Sequence, residues 1–293
     1  MGSETVRYEY GWLRKAGLDK KLATLFVLRG GDAGLRIPLT KGRVTIGRTI
    51  EADLVFHDEQ ISRKHAMIAH EAETNSYAIS DLGSTNGTYV NDKPVTRTNL
   101  KDGDKIFIGG TILKFMLQDE VESESGELVD RLLFQDDLTG LVVKRRFYRD
   151  LDLCVLSANV QSTPLAVLMM DMDGLKKVND THGHMMGAFV ISEVGKIIGG
   201  ICNTSGQACR YGGDEFIAYL QNAGKDPAVQ TGEAICKAVR EHLFTKEEVS
   251  VKVSISVGVA TFPDDGKSID VLVRAADEAL YRAKAAGRDR VSV

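Results

Sequence analysis

Between Leu25 and Leu117 the apolar residues come in short alternating runs, among them LFVLRG, RVTIGR, ADLVF, HAMIAHE, SYAISDL, GTYVN, DKIFIGG and ILKFML. A period of two puts successive side chains on opposite faces of a strand, and turn residues break the runs roughly every ten positions. The pattern predicts an all-β sandwich. From PLAVLMMDMD onward the pattern changes: that run predicts a buried strand, GAFVISEVGKIIGGIC a helix, VKVSISVGVATF a strand and SIDVLVRAADEALYRAKAAG a helix. Strands alternating with longer helical stretches predict an α/β or α+β domain. The two patterns meet in QDEVESESGELVDRLLFQDD, Gln118 to Asp137, which is acidic and has no proline. Leu128, Leu132 and Gln135 share one helical stripe there, with Val129 and Leu133 beside it, so its second half predicts a short linker helix. The organisation expected is a tail over residues 1–22, a β domain over 23–117, a linker over 118–135 and a mixed domain over 136–293.

Composition narrows the class. The 293 residues suffice for about two domains, and 43% hydrophobic with 27% charged residues suits a globular chain. A net charge of −4 gives no basic field for nucleic acid or an anionic membrane, so neither is expected as a partner. The stretch MGSETVRYEYGWLRKAGLDKK holds no continuous apolar core, which predicts neither signal peptide nor anchor and a cytoplasmic protein. Cys154, Cys202, Cys209 and Cys236 are scattered without a CxxC spacing, as expected of reduced thiols.

The chemistry concentrates in ACRYGGDEFIAYL. Gly212 and Gly213 between two apolar runs predict a tight hairpin, and Asp214 and Glu215 follow at once. On its own a solvated turn would read the same way. Asp171 and Asp173, however, end the buried strand, and carboxylates gathered at one place repel unless a divalent cation sits among them, commonly with a nucleotide's phosphates. In RAKAAGRDR, Lys284 and Arg288 stand four apart, which on one helix face would let both clamp phosphate. Metal-dependent nucleotide chemistry and plain surface charge both remain open at this point.

Several spaced motifs occur together in order: DDLTGL, DMDGLKKVND, GHMMG, RYGGDEF, SVGVA and AKAAGR. Through them the region from Asp136 to Val293 resembles the GGDEF family of diguanylate cyclases. The resemblance implies an α/β palm-like fold with a mainly antiparallel central sheet. It also implies a homodimer that condenses two GTP into cyclic di-GMP with release of two pyrophosphates. By motif position, Asp171 and Asp214 would hold two Mg²⁺ or Mn²⁺ ions with help from the Met172 carbonyl, and Glu215 would assist deprotonation of the nucleophile. Lys176, Lys284 and Arg288 would hold the β- and γ-phosphates with support from Arg210. Asn179 would meet the guanine, and Gly213 would allow close approach to the backbone. Three positions depart from the family. Ala188 replaces an Asp that pairs with guanine, a change associated in similar sequences with relaxed purine choice and mixed cyclic GMP-AMP. Asn203 to Gly206 read NTSG where the product-inhibition motif RxxD belongs, and Val143 replaces an early Asn in what reads as a structural change.

In the β region, Gly47-Arg48, Ser62-Arg63-Lys64-His65 and Ser84-Thr85-Asn86-Gly87 lie between strands. In order and spacing they resemble the signature of forkhead-associated (FHA) domains, from about Thr24 to Leu117. This implies an eleven-stranded sandwich binding phosphothreonine peptides, with Arg48, Ser62, Arg63 and Thr85 on the phosphate and Asn86 on the peptide backbone. His65 is expected to pack the loops. The tail has one threonine, Thr5, whose phosphorylation by a Ser/Thr kinase would offer the domain a ligand from its own chain, the alternative being a phosphopeptide of another protein. The expected whole is a cyclase regulated by phosphothreonine binding. The competing expectation is a non-catalytic FHA adaptor with a degenerate nucleotide-binding domain.

Overall fold

The structure is a computed structural model that describes residues 21–119 and 133–293, together with positions 122, 125 and 129. Thr5 and most of the linker expected over 118–135 lie outside the described residues; the described positions 122, 125, 129, 133 and 134 are helical. The chain divides into two compact units, Met1–Arg131 and Leu132–Val293.

The first unit contains β1 (Leu22–Arg29), β2 (Arg36–Pro38), β3 (Arg43–Gly47), β4 (Leu54–Val55), β5 (Ala66–Glu71) and β6 (Ser76–Asp81). It continues with β7 (Thr88–Val90), β8 (Lys93–Val95), β9 (Arg97–Leu100), β10 (Lys105–Ile108) and β11 (Thr111–Gln118). They form a six-stranded sheet, β2-β1-β11-β10-β7-β8, and a five-stranded sheet, β4-β3-β5-β6-β9. Leu25, Val27, Ile106, Ile108, Leu113 and Phe115 of the first sheet are fully buried, as are Ile46, Ile68 and Ile79 of the second. The Tyr77 and Phe115 rings, 5.5 Å apart, join the sheets. Three strands carry no apolar run in the sequence: β2, β8 and β9. Each sits at a sheet edge, where little apolar surface is buried and alternation is not required.

The second unit is built on a sheet ordered β13-β14-β12-β17-β18. Its elements are α1 (Lys144–Gln161), β12 (Leu165–Asp173), α2 (Leu175–His182), α3 (His184–Cys202), β13 (Gly206–Gly212), β14 (Glu215–Gln221) and α4 (Lys225–Glu241). Then come the hairpin β15 (Phe244–Lys246) and β16 (Val249–Val251), then β17 (Ser254–Phe262), α5 (Ile269–Ala285) and β18 (Val291–Ser292). All neighbours in the five-stranded sheet are antiparallel except β17 and β18. The central strand β12 is apolar from Leu165 to Met170 because both faces are covered. Ala166, Leu168, Met170 and Met172 pack with Val178, Val190, Val194 and Ile235 from α2, α3 and α4. Leu165, Val167 and Met169 pack with Phe147, Leu151, Leu272 and Leu280 from α1 and α5. Helix α3 is long and apolar enough in composition to cross a membrane. Here that character is explained by a face buried in the core, including Met186, Val190, Val194 and Ile198. None of the four cysteines is bridged, and burial pushes the thiols of Cys202, Cys209 and Cys236 up to about 12.

Candidate functional site

Strands β13 and β14 close with Gly212 opposite Glu215, leaving Gly213 and Asp214 as the two tip residues. Gly213 has φ +49°, the left-handed conformation that glycine accepts without a Cβ penalty. The tip is braced twice. Arg210 donates from Nε and Nη2 to the Gly213 carbonyl at 2.9 and 2.8 Å, and the Met172 amide donates to the Asp214 carbonyl at 3.2 Å. The Arg210 guanidinium is thus spent on the turn, with Asp136 of the DDLTGL motif 3.9 Å away.

Antiparallel register puts Asp171 of β12 opposite Glu215 of β14, so the end of the central strand and the hairpin tip converge. Lys284 of α5 reaches the same point, its Nζ 2.8 Å from Asp171 Oδ2. Burial raises the Asp171 carboxyl above the ordinary carboxylate range, and the nearby charges of Asp214 and Asp173 push the same way; the Lys284 hydrogen bond opposes them. Helix α5 comes this close because Gly258 of SVGVA lies under it: a Cβ there would stand 2.1 Å from the Ala276 carbonyl oxygen and the Leu280 nitrogen.

Asp173 behaves differently from Asp171. Its carboxylate accepts from Ser254 Oγ, Ser256 Oγ and the Asp289 amide, so its lone pairs are already engaged. The expectation that Lys284 and Arg288 share a helix face is corrected: α5 ends at Ala285, and Arg288 lies beyond it with φ +63°. Gly287, at φ +112°, turns the chain out of the helix. Arg288 nevertheless returns towards the site, its Nε 3.9 Å from Asp173 Oδ1.

Lys176 is exposed in the first turn of α2. On the same helix, Asn179 has a buried Oδ1 with no hydrogen-bond partner. It is crowded against Gly187 of GHMMG, where a Cβ would lie 1.8 Å from that oxygen. Ala188 follows, with no polar group to offer. Among the described residues no group of three or more His, Cys, Asp or Glu side chains is arranged to hold a metal. Asp171 and Asp214 are hard oxygen donors that suit Mg²⁺ or Mn²⁺, but two carboxylates leave most of an octahedral shell to water and phosphate. The residues therefore fit a cation bound together with a nucleotide.

The first unit has a site of its own. Arg48 and Arg63 are exposed on loops after β3 and β4. Thr85 lies beside them: its amide donates to Ser62 Oγ at 3.0 Å, and the Arg48 amide donates to the Ser62 carbonyl at 3.1 Å. Asn86 Nδ2 donates to the Gln60 carbonyl. His65, fully buried, ties two loops together by accepting from the Ser62 amide at Nδ1 and meeting the Gly87 carbonyl at Nε2. Sequence reasoning missed Asp81. It accepts from the Gly83 and Ser84 amides, Ser84 Oγ and Thr88 Oγ1, all at 2.6–2.9 Å, and so sets the loop that presents Thr85 and Asn86. Burial works against its charged form, but these hydrogen bonds outweigh burial and hold it at about 2. Its signal was an Asp two residues before a glycine in a turn, the common Asx pattern.

A family model described as "Diguanylate cyclase, GGDEF domain" matches residues 133–290, more than half of the chain. The chain belongs to the GGDEF family. A second model, the FHA domain, matches residues 44–109. Diguanylate cyclase A of Treponema denticola is 37% identical over 161 residues, which cover 54% of this chain and 43% of that protein. The response regulator PleD of Caulobacter vibrioides is 34% identical over 162 residues, 55% of this chain and 36% of that protein. The chain thus spans less than half the length of these relatives. Among solved structures, the coiled coil and GGDEF domain of DgcB from Caulobacter crescentus, in complex with c-di-GMP, matches with a TM-score of 0.54 at 29% identity. That match covers 59% of this chain and 92% of the other. The mainly antiparallel sheet with helices on both faces is the palm-like arrangement expected, and GGDEF diguanylate cyclases use divalent cations.

Proposed function

We propose that this chain is a diguanylate cyclase whose FHA domain reads phosphothreonine and thereby governs the pairing of two GGDEF domains. The observation that carries the catalytic reading is the convergence of β12 and the hairpin tip, which brings Asp171 beside Glu215 and Asp214 with Lys284 on Asp171. Each domain binds one GTP, and two domains facing about a two-fold axis bring each 3′-hydroxyl to the α-phosphorus of the opposite nucleotide. Each attack forms a 3′-O–P bond and breaks the anhydride to the β-phosphate. Two pyrophosphates leave, and the ring is closed. A homodimer is the working unit.

Asp171, Asp214 and the Met172 carbonyl are the groups that hold two Mg²⁺ or Mn²⁺ ions. Bound there, such ions neutralise phosphate charge and lower the pKa of a coordinated hydroxyl. Glu215 assists the departure of the 3′-proton. Lys176, Lys284 and Arg288 take the β- and γ-phosphates, and Arg210 supports them by fixing the tip. Gly213 keeps side chains away from the triphosphate. Asn179, beside the glycine of GHMMG, is the residue that hydrogen-bonds the base. A cytoplasmic location belongs to this reading, since its substrate is GTP.

The decisive experiment is incubation of the purified chain with GTP and Mg²⁺ and identification of products by mass. Cyclic di-GMP and pyrophosphate are expected from the wild type, and from Asp214→Asn only about a thousandth as much. A wild type that binds GTP without forming a phosphodiester would support the adaptor reading. Ala188 favours a second possibility for the product: with no carboxylate to take the guanine N–H groups, ATP added to the same tube gives some cyclic GMP-AMP. Losing such a partner costs about 1–3 kcal/mol, or roughly 5- to 150-fold in affinity. Restoring the carboxylate with Ala188→Asp sharpens the choice for guanine.

On the FHA side, Arg48, Ser62, Arg63 and Thr85 hold the phosphate and Asn86 the peptide backbone. A tail phosphorylated at Thr5 by a Ser/Thr kinase is the ligand, bound within the chain or by a dimer partner, because tethering gives it a millimolar effective concentration. Titration of the domain with tail peptides settles this. Equal affinity with and without phosphate on Thr5 refutes it, and tight binding only to phosphopeptides of other proteins transfers the role to them.

A further inference from the structure

Asp173 is a buried carboxylate that the proposed chemistry leaves without a task. Only 8% of its side chain is exposed, although it ends the strand whose other acid, Asp171, faces the site. Three elements converge on it. Ser254 Oγ donates to Oδ2 at 2.9 Å, Ser256 Oγ donates to Oδ1 at 2.9 Å and Oδ2 at 3.1 Å, and the Asp289 amide donates to Oδ2 at 3.1 Å. The same amide lies 3.2 Å from Ser256 Oγ, so β12, β17 and the turn after α5 close into one network.

That turn is strained. After Gly287, both Arg288 and Asp289 have positive φ, 63° and 50°, a region that costs a residue with a side chain about 1 kcal/mol or more. Such backbone persists only where its surroundings hold it. Arg240 Nη1 grips Asp289 Oδ2 at 2.6 Å, the Arg288 amide donates to the Ala283 carbonyl at 3.1 Å, and Asp173 secures the amide between them. The strained residue is the one that carries the phosphate-binding guanidinium. Its side chain is 62% exposed and its Nε stands 3.9 Å from Asp173 Oδ1, too far and too exposed for a strong ion pair, so its backbone chiefly fixes where it points.

We infer that Asp173 is a positioning residue for the triphosphate: through the Asp289 amide it holds Arg288, and with it the end of α5 beyond Lys284, in register with the hairpin tip. This rests on the cyclase reading of the site. Asp173 acts as a hydrogen-bond acceptor, not as a metal ligand. Asp173→Asn keeps the backbone network, since its carbonyl accepts from Ser254 and the Asp289 amide while its NH₂, in place of Oδ1, donates to Ser256 Oγ, whose hydroxyl can rotate to accept; only the weak 3.9 Å approach of Arg288 Nε is lost.

The test measures binding of a non-reacting α,β-methylene GTP analogue to the full chain, alongside GMP, with kcat and KM for GTP. Asp173→Ala is expected to weaken the analogue about 10- to 100-fold, the loss of the acceptor that holds Ser254, Ser256 and the Asp289 amide, and to raise KM more than it lowers kcat. GMP, lacking the outer phosphates, binds unchanged, and Asp173→Asn stays within about threefold of the wild type. Combining Asp173→Ala with Arg288→Ala adds little to Arg288→Ala alone, because both remove the same contact. If Asp173→Ala does not fold, Ser254→Ala and Asp173→Asn decide: the first weakens the analogue several-fold, the second does not. Equal analogue affinity in the alanine variants, an asparagine variant as damaged as alanine, or additive losses with Arg288→Ala would each overturn the inference. A wild type that fails to bind the analogue refutes the cyclase reading itself.

Discussion

In the FHA domain Arg48 and Arg63 stand exposed, without an ion pair to a described residue, on loops joined through Ser62, whose amide donates to the buried His65. In the GGDEF domain Lys284 sits on Asp171, Arg210 grips the hairpin carbonyl and Arg288 leans towards Asp173. Both sites suit phosphate, yet one presents its arginines free while the other ties Lys284 and Arg288 to its own acids, Asp171 and Asp173, and leaves Lys176 exposed. The difference follows from the ligands expected. A phosphopeptide brings only negative charge, so a reader needs only donors. A nucleotide with its metal brings charges of both signs, and a site prepared for both must neutralise itself when empty. Burial of Asp171 beside Asp214 and Asp173 makes that neutralisation necessary.

The largest effect that would sharpen this contrast is on catalysis. Asp214→Asn should lower dinucleotide formation roughly a thousandfold while leaving melting unchanged, because the residue sits in a two-residue turn and supports no core. A residual rate near that of the wild type would break the parallel between hairpin tip and metal site. Next comes Arg48→Ala, expected to weaken phosphothreonine peptide binding about 10- to 150-fold in a fluorescence titration. An unchanged affinity would mean that the free arginine is not the anchor.

Asp81→Ala follows, with a stability loss of about 2 kcal/mol in the FHA domain by denaturant unfolding. The pH dependence has a definite sign. The folded-state value near 2 lies below the ordinary carboxylate value of 3.8, so the stabilisation is present above about pH 4 and is lost as pH falls towards 2. Asp81→Ala should flatten the acid limb in that window. The smallest effect is that of Mg²⁺ alone on the melting of the GGDEF domain, below about 1 kcal/mol, because two carboxylates and a competing Lys284 make a poor cage. Mg²⁺ with a GTP analogue at a hundred times Kd should add about 2.7 kcal/mol. A large shift with the ion alone would show a preformed metal site.

Much of this was legible in the chain. Eight of the eleven FHA strands announced themselves by alternation; the other three are edge strands that bury too little to leave a pattern. Asp171 and Asp214 could be brought together because one lies at the end of a buried apolar run and the other at the tip of a glycine hairpin, both inside motifs of one family. The bracing role of Arg210 was not legible, since its partner is a backbone carbonyl, and carbonyls leave no mark in a sequence. Arg288 was misplaced because spacing by four suggests a helix face, while Gly287 ends the helix first. Asp173 read only as one more acid of the cluster at the strand end, because a sequence shows a carboxylate but not the three donors that occupy it.

By itself, then, the sequence determined the two domain types, their order, the central strands and the residue types available for phosphate and metal. Periodicity and local turn chemistry carry that information, since both act between residues near in the chain. Only the tertiary structure decided which acids face the site and which are spent as struts, and which cations are free. Those assignments depend on donors 81 to 116 residues away, such as Ser254 and the Asp289 amide on Asp173, and a hydrogen bond over that separation exists only once the sheet and its flanking helices have closed.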